Sequence, residues 1–178
     1  MVDPLLAEYP GVRLVVHGDD ADLAAVLVRL LRKGALATEV GYVPAVRRSV
    51  VAAVWGLPRS PRAAATLART GTAQPAPLIR DDNGGVLAGR GELLDVHGEA
   101  YCDAVRVFGG RVPRLRVDAV PDGIRVHSGR GVTAATGRAI QLGTTGARPV
   151  RDGEPYPREV TRWAWYRHTE PWHPVLPG

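Results

Sequence analysis

Cysteine is almost missing from this chain. Cys102 stands alone among 178 residues, so no disulfide can form within it, and a reducing compartment, the cytoplasm, is expected. Long hydrophobic runs are missing too. The longest, Leu23 to Leu31, is interrupted by Arg29, whereas a bilayer crossing needs about 20 apolar residues. The opening MVDPLLAEYP has neither a basic stretch nor a long apolar one, so no secretory leader is expected. Lysine is reduced to Lys33, and the formal charge of +5 rests on arginine. With abundant Ala, Gly and Val, that bias points to a GC-rich, bacterial genome. The nearest arginine clusters are Arg47-Arg48, Arg111 to Arg116 and Arg158 to Arg167. No contiguous basic face with aromatics or a reading module accompanies them, which argues against nucleic acid as a partner. His17, His97, His127, His168 and His173 lack metal-ligand spacing. There is no nucleophile elbow for a hydrolase, no internal repeat and no low-complexity tract.

What is present reads as a globular chain, with 45% hydrophobic and 23% charged residues. Val12 to Val16 is an apolar run of buried-strand length. Leu23, Val26, Leu27, Leu30 and Leu31 then recur at helical spacing, with Asp19 or Asp20 to cap the start and Gly34 to end the helix. Ala37 to Val43 reads as a second strand closing at Pro44. Val46, Val50, Val51 and Val54 form a helical stripe that stops at Trp55-Gly56-Leu57-Pro58. Ser60-Pro61 opens an Ala-rich helix that ends near Gly71. This order predicts an α/β lobe with a partial parallel sheet over residues 1–73.

From residue 74 to 178 an antiparallel β-rich lobe is expected, with its C-terminal strand returning to the first. Asn83-Gly84-Gly85 predicts a hairpin between Pro77–Arg80 and Val86–Ala88. Tyr101 to Phe108 and Val112 to Val120 read as strands around a Gly109-Gly110 turn. Asp122-Gly123 closes a hairpin back to Ile124–His127. Arg138 to Gly143, Ala147 to Arg151 and Arg158 to Tyr166 complete the lobe. Trp163, Trp165, Tyr166 and Trp172 read as core or inter-lobe packing, and Cys102 as a buried structural thiol.

The turn after the first strand, His17-Gly18-Asp19-Asp20-Ala21-Asp22, is where chemistry is expected. A strand feeding a helix N-terminus leaves backbone N–H groups free and places the positive end of the helix dipole beside them. Glycine there lets a phosphate approach. Three aspartates crowd this turn, and they equally serve to cap the helix with no ligand at all.

On these residues the chain resembles the diacylglycerol kinase family of lipid kinases and the related NAD kinases, which carry a strand, Gly-Gly-Asp-Gly-Thr and a helix. Gly18 matches the first glycine and Asp20 the aspartate, while Asp19, Ala21 and Asp22 replace the other glycines and the threonine. A second landmark, strand, proline, Gly-Thr-Gly-Asn-type loop and helix ending Gly-Leu-Pro, is matched in frame by Gly41 to Pro44 and Gly56-Leu57-Pro58. Val46, Arg47, Arg48 and Ser49 stand where the glycine-rich loop would be. A third, Asp-Gly-Glu before a final strand, is matched by Asp152-Gly153-Glu154 and Arg162 to His168. Relatives begin with a further strand and helix, and a partner copy could cover the sheet edge that their loss exposes.

The resemblance implies a lipid kinase-like protein, moving a phosphoryl group from ATP with Mg²⁺ to a lipid hydroxyl if active. It makes Asp20 the catalytic residue and puts Gly18, Asp19, Arg47, Arg48, Asp152, Gly153 and Glu154 around the nucleotide. No side chain is assigned as a metal ligand. Arg47 and Arg48 could hold phosphate by side chain instead of backbone, or could be two solvated arginines at a helix start. Because both glycine loops are eroded, impaired activity is expected. The alternative is a non-catalytic binding or assembly module with at most peripheral membrane contact.

Overall fold

The computed structural model describes residues 2–9 and 11–178. Met1 and Pro10, the ends of the stretch read for a leader, lie outside them. The chain begins with a helix that periodicity had not revealed, α1 (Asp3–Glu8), which has Pro4 in its first turn. Then come β1 (Leu14–Gly18), α2 (Asp20–Lys33), β2 (Glu39–Pro44), α3 (Val50–Val54), α4 (Pro61–Thr70) and β3 (Thr72–Ala73). The β-rich part comprises β4 (Ile79–Asp81), β5 (Val86–Leu87), β6 (Arg90–Cys102), β7 (Val105–Val120), β8 (Gly123–Val126), β9 (Ala135–Gly137), β10 (Ala139–Arg151), β11 (Glu154–Pro155) and β12 (Val160–Arg167). β13 (His173–Leu176) ends the chain.

Two sheets result. In the first, ordered β1-β2-β13-β3, β1 runs parallel to β2, and β13 runs parallel to β2 on its other side. Leu23, Leu27 and Leu30 of α2 bury themselves against Leu14, Val40 and Tyr42. α4 covers the other face so closely that a Cβ on Gly41 would lie 2.5 Å from the Ala68 carbonyl oxygen. β1 is a sheet edge, with Val15 exposed. The second sheet is antiparallel, ordered β5-β4-β12-β10-β6-β7-β8-β9, and β11 pairs with β10. Trp163 and Trp165 are buried in its core. Trp172 belongs to the first core and meets Trp55 edge-on at 6.0 Å. Val86 and Ala88 of the second lobe join that core, so α2 packs against both lobes.

Several sequence expectations need correction. Gly109-Gly110 is not a turn, because β7 runs straight through it, with Gly98 opposite Gly110 and Glu99 opposite Gly109. The hairpin turns at Asp103-Ala104 instead, where Asp103 takes φ of 49° and its carboxylate accepts the Arg138 and Ala139 amides. Glycine inside a strand can mark close backbone approach: a Cβ on Gly98 would lie 2.0 Å from the Gly143 carbonyl oxygen. β6 begins at Arg90, well ahead of the strand expected from Tyr101. The two runs read between 138 and 151 are one strand, β10, with an irregular register between Gly143 and Ala147. The stripe from Val46 is helical only from Val50, because the Ser49 hydroxyl accepts the Ala52 amide and caps the helix there.

Candidate functional site

The turn between β1 and α2 is closed by its own side chains. The Asp19 carboxylate accepts the Asp22 amide at 3.0 Å, and the Asp22 carboxylate accepts the Asp19 amide at 2.9 Å. This reciprocal cap satisfies donors that a helix N-terminus otherwise leaves free. It also fills the space over Gly18, where an added Cβ would lie 2.2 Å from an Asp22 oxygen. Glycine is needed here to admit the protein's own carboxylate.

Asp20 points the other way and is buried. Oδ1 accepts the Tyr42 hydroxyl at 2.9 Å and the Ser49 hydroxyl at 2.5 Å. Oδ2 accepts the Val50 and Val51 amides at 2.7 and 3.2 Å. Asp20 therefore caps α3 from a neighbouring helix, with both oxygens engaged. Burial, and then the Asp20 charge beside it, push the Tyr42 phenol well above its usual range.

The late acidic bend reaches the same place. Asp152 and Gly153 take φ of 49° and 93° in the turn between β10 and β11. The Asp152 carboxylate accepts the amides of Ala88, Gly89 and Arg90 at 2.8, 2.7 and 2.8 Å. A Cβ on Gly89 would lie 3.1 Å from the Val51 nitrogen and 3.2 Å from Asp152 Oδ1. Because the Val51 amide is a donor to Asp20, the two bends meet across Gly89. Asp152 as a residue is only half-buried, but its carboxyl is enclosed by these amides. Burial pushes it up to about 7 against the pull of the three donors, and Asp20 adds to the rise. Glu154 is exposed, and its side chain makes no hydrogen bond or ion pair among the described residues. The structure thus brings Gly18, Asp20 and Asp152 together and leaves Glu154 outside.

Beside this junction a cleft of about 950 Å³ opens between the lobes. One wall is the 45–49 loop, α3 and the start of α4. The other is formed by Arg90 with residues of β7 and β8. The Ala45 amide donates to the Gly18 carbonyl at 2.7 Å, so the loop begins directly against the closed turn. Arg47, Arg48, Arg59, Arg90 and Arg125 line the cleft, and among the described residues Asp118 is its one acidic residue. Asp118 is buried, accepts the Arg90 guanidinium at 2.7 and 2.9 Å, and lies 2.6 Å from His127 Nε2. Burial raises its carboxyl, but Arg90 and His127 outweigh that and hold it below the usual carboxylate range. Among the described residues Arg47, Arg48, Arg59 and Arg125 have no acidic partner.

Arg59, Arg90, Asp118, Arg125 and His127 were not anticipated from sequence. One signal existed: Asp118 sits inside the run Val117 to Val120, and a carboxylate in a strand buried on both faces needs a partner. That partner could not be named without the register, which sets Asp118 opposite both Arg90 and Arg125.

These residues do not fit a Mg²⁺-bound triphosphate against the β1–α2 turn, since the Asp19 and Asp22 amides and the carboxylates of Asp19, Asp20 and Asp22 are already engaged. Among the described residues no group of three His, Cys, Asp or Glu side chains is placed to hold a metal ion. The arginine-lined cleft does fit an anion.

No family model and no curated protein matches this sequence. Solved structures match its fold. A diacylglycerol kinase from Bacillus anthracis str. Sterne superposes with a TM-score of 0.75 at 12% identity, over 97% of this chain and 78% of that one. An NAD kinase from Archaeoglobus fulgidus in complex with ATP gives 0.58 at 12% identity, over 90% and 76%. Yeast NADH kinase complexed with NADH gives 0.54 at 8% identity, over 93% and 62%. The chain has the two-lobed diacylglycerol kinase/NAD kinase-like fold that the resemblance implied.

Proposed function

We propose that this chain is a non-catalytic member of the lipid kinase-like fold that binds a phosphorylated small molecule, of the nucleotide class, between two lobes, residues 1–73 and 74–178. The observation that carries this reading is a contrast within one site. Asp20, the residue the resemblance makes catalytic, has both oxygens engaged by four donors, while the adjoining cleft keeps arginines without acidic partners. A general base needs a free lone pair aimed at the proton it takes, and phosphoryl transfer rests on positioning and charge stabilisation. A turn closed by Asp19 and Asp22 supplies neither. The fold is shared with one structure holding ATP and one holding NADH, which supports a nucleotide-class ligand.

The test pairs binding with turnover. ATP should raise the melting temperature, while radiolabelled Mg·ATP incubated with diacylglycerol micelles should yield no labelled lipid above a protein-free control. Labelled lipid that disappears in Asp20→Asn would overturn the reading and establish an active lipid kinase, to which the likeness to a diacylglycerol kinase lends support. Among the described residues no helix is long and apolar enough to cross a membrane.

A further inference from the structure

We infer that the inter-lobe cleft takes its ligand as a metal-free anion bearing two or more linked phosphates, clamped by arginine side chains and not through a divalent cation. The inference rests on the anion-binding reading and adds the ligand's charge state and the way it is held.

Charge decides the number of phosphates. Five arginines against one aspartate leave four uncompensated positive charges on the cleft wall. A phosphate monoester carries about −1.5 to −2 at neutral pH, so one phosphate leaves half of that charge unmatched and two linked phosphates come close to matching it. Arginine suits the task, because its planar fork donates two parallel hydrogen bonds to a phosphate and it stays charged at any physiological pH. The arginines come from the loop before α3, the segment before α4, and β8. They therefore approach from both lobes, as a ligand with several phosphates requires.

Oxygen ligands decide the metal question. Mg²⁺ in nucleotide sites is held by one or two carboxylates together with substrate phosphates. The one carboxylate lining this cleft, Asp118, is buried under Arg90 and His127. Asp20 and Asp152, at the neighbouring junction, have their oxygens on hydroxyls and amides. A dication entering the cleft would meet uncompensated guanidinium groups and no free carboxylate. Mg²⁺ on the phosphates also competes for the oxygens that the arginines need.

The experiment is calorimetry on the full chain at low salt, titrating ATP with EDTA, ATP with excess Mg²⁺, pyrophosphate with EDTA, and AMP with EDTA. Metal-free ATP and pyrophosphate should bind, AMP should bind at least about tenfold more weakly, and excess Mg²⁺ should weaken ATP about tenfold. Arg48→Ala and Arg125→Ala should each weaken metal-free ATP about tenfold without changing the melting temperature. Arg111→Ala, on an exposed position of β7 outside the cleft, should leave it unchanged. Equal or tighter binding with Mg²⁺, or AMP as tight as ATP, overturns this inference and leaves anion binding standing. Silence from every titrant at millimolar concentration overturns the anion-binding reading as well.

Discussion

Two adjoining stretches of the first lobe use charge in opposite ways. Residues 18–22 hold three aspartates, and each carboxylate accepts at least one hydrogen bond from the protein. Residues 45–49, joined to them by the Ala45–Gly18 hydrogen bond, hold two exposed arginines with no acidic partner among the described residues. A strand-to-helix turn rich in glycine leaves amides free for a visiting anion. Here carboxylates of the chain occupy two of the turn's amides, those of Asp19 and Asp22, so the turn contributes to stability. Capacity for an outside anion resides next door, in side chains and not in backbone. The contrast implies a double dissociation: changes in the acidic turn should alter folding, and changes in the arginines should alter binding.

The largest effect that can break this contrast is at Asp20. Removing its carboxylate in Asp20→Ala leaves the Val50 and Val51 amides and the Ser49 hydroxyl without their acceptor, while the Tyr42 hydroxyl keeps only the Gly18 carbonyl at 3.2 Å. Buried unsatisfied donors cost about 1–3 kcal/mol each and do not add fully, so a loss of about 3–5 kcal/mol is expected in a urea titration. Arg47→Ala, on the exposed loop, should change stability by no more than about 0.5 kcal/mol. Comparable losses from the two substitutions would erase the distinction.

Asp152 sharpens the contrast through pH. Its carboxyl is pushed up to about 7 in the folded chain, against about 3.9 when unfolded. Between those values the native state binds more protons than the unfolded state, so stability from this group is greatest below about pH 4 and falls as pH rises toward 7. Unfolding free energies from urea titrations at intervals from pH 4.5 to 7.5 should fall by on the order of 1 kcal/mol more in the parent than in Asp152→Asn. Asp118 cannot mimic this trend, because its carboxyl is lowered and its contribution is lost only at still lower pH. Parallel profiles for parent and variant would show that the amides of residues 88–90 hold an ordinary carboxylate.

The sequence made local features legible where one residue type does one job. Gly34 ends α2 in the left-handed conformation, Asn83-Gly84-Gly85 joins β4 to β5, and Asp122-Gly123 leads from β7 into β8. The meeting of Asp20 with Asp152 followed from the order of landmarks in the resemblance. What each carboxylate does there did not, because the donors to Asp20 come from Tyr42 of β2, from Ser49, and from two amides of a helix whose start depends on Ser49. The Gly109-Gly110 reading failed for a related reason. Dipeptide signals mark turns only where the partner strand permits one, and here β6 pairs with β7 straight past those glycines, Glu99 opposite Gly109 and Gly98 opposite Gly110. Arg90, Asp118 and Arg125 are separated along the chain and meet only through the registers of β6, β7 and β8. No spacing rule reaches that far.

The smallest effect tests the turn itself. Asp22→Ala removes one half of the reciprocal cap and frees the Asp19 amide, for an expected loss of about 1 kcal/mol. Asp22→Asn keeps an acceptor oxygen and removes only the charge beside the helix dipole, so its loss at this exposed position should be about 0.3–0.5 kcal/mol. The gap between the two variants measures the hydrogen bond apart from the charge. Each should also be titrated with Mg·ATP. If the cap is purely a folding device, freeing one amide leaves the turn crowded by Asp19 and Asp20, and no nucleotide heat appears. If Asp22→Ala acquires Mg·ATP binding that Asp22→Asn lacks, the turn is a phosphate site held shut by a single carboxylate. The two stretches would then be one site with an open half and a closed half.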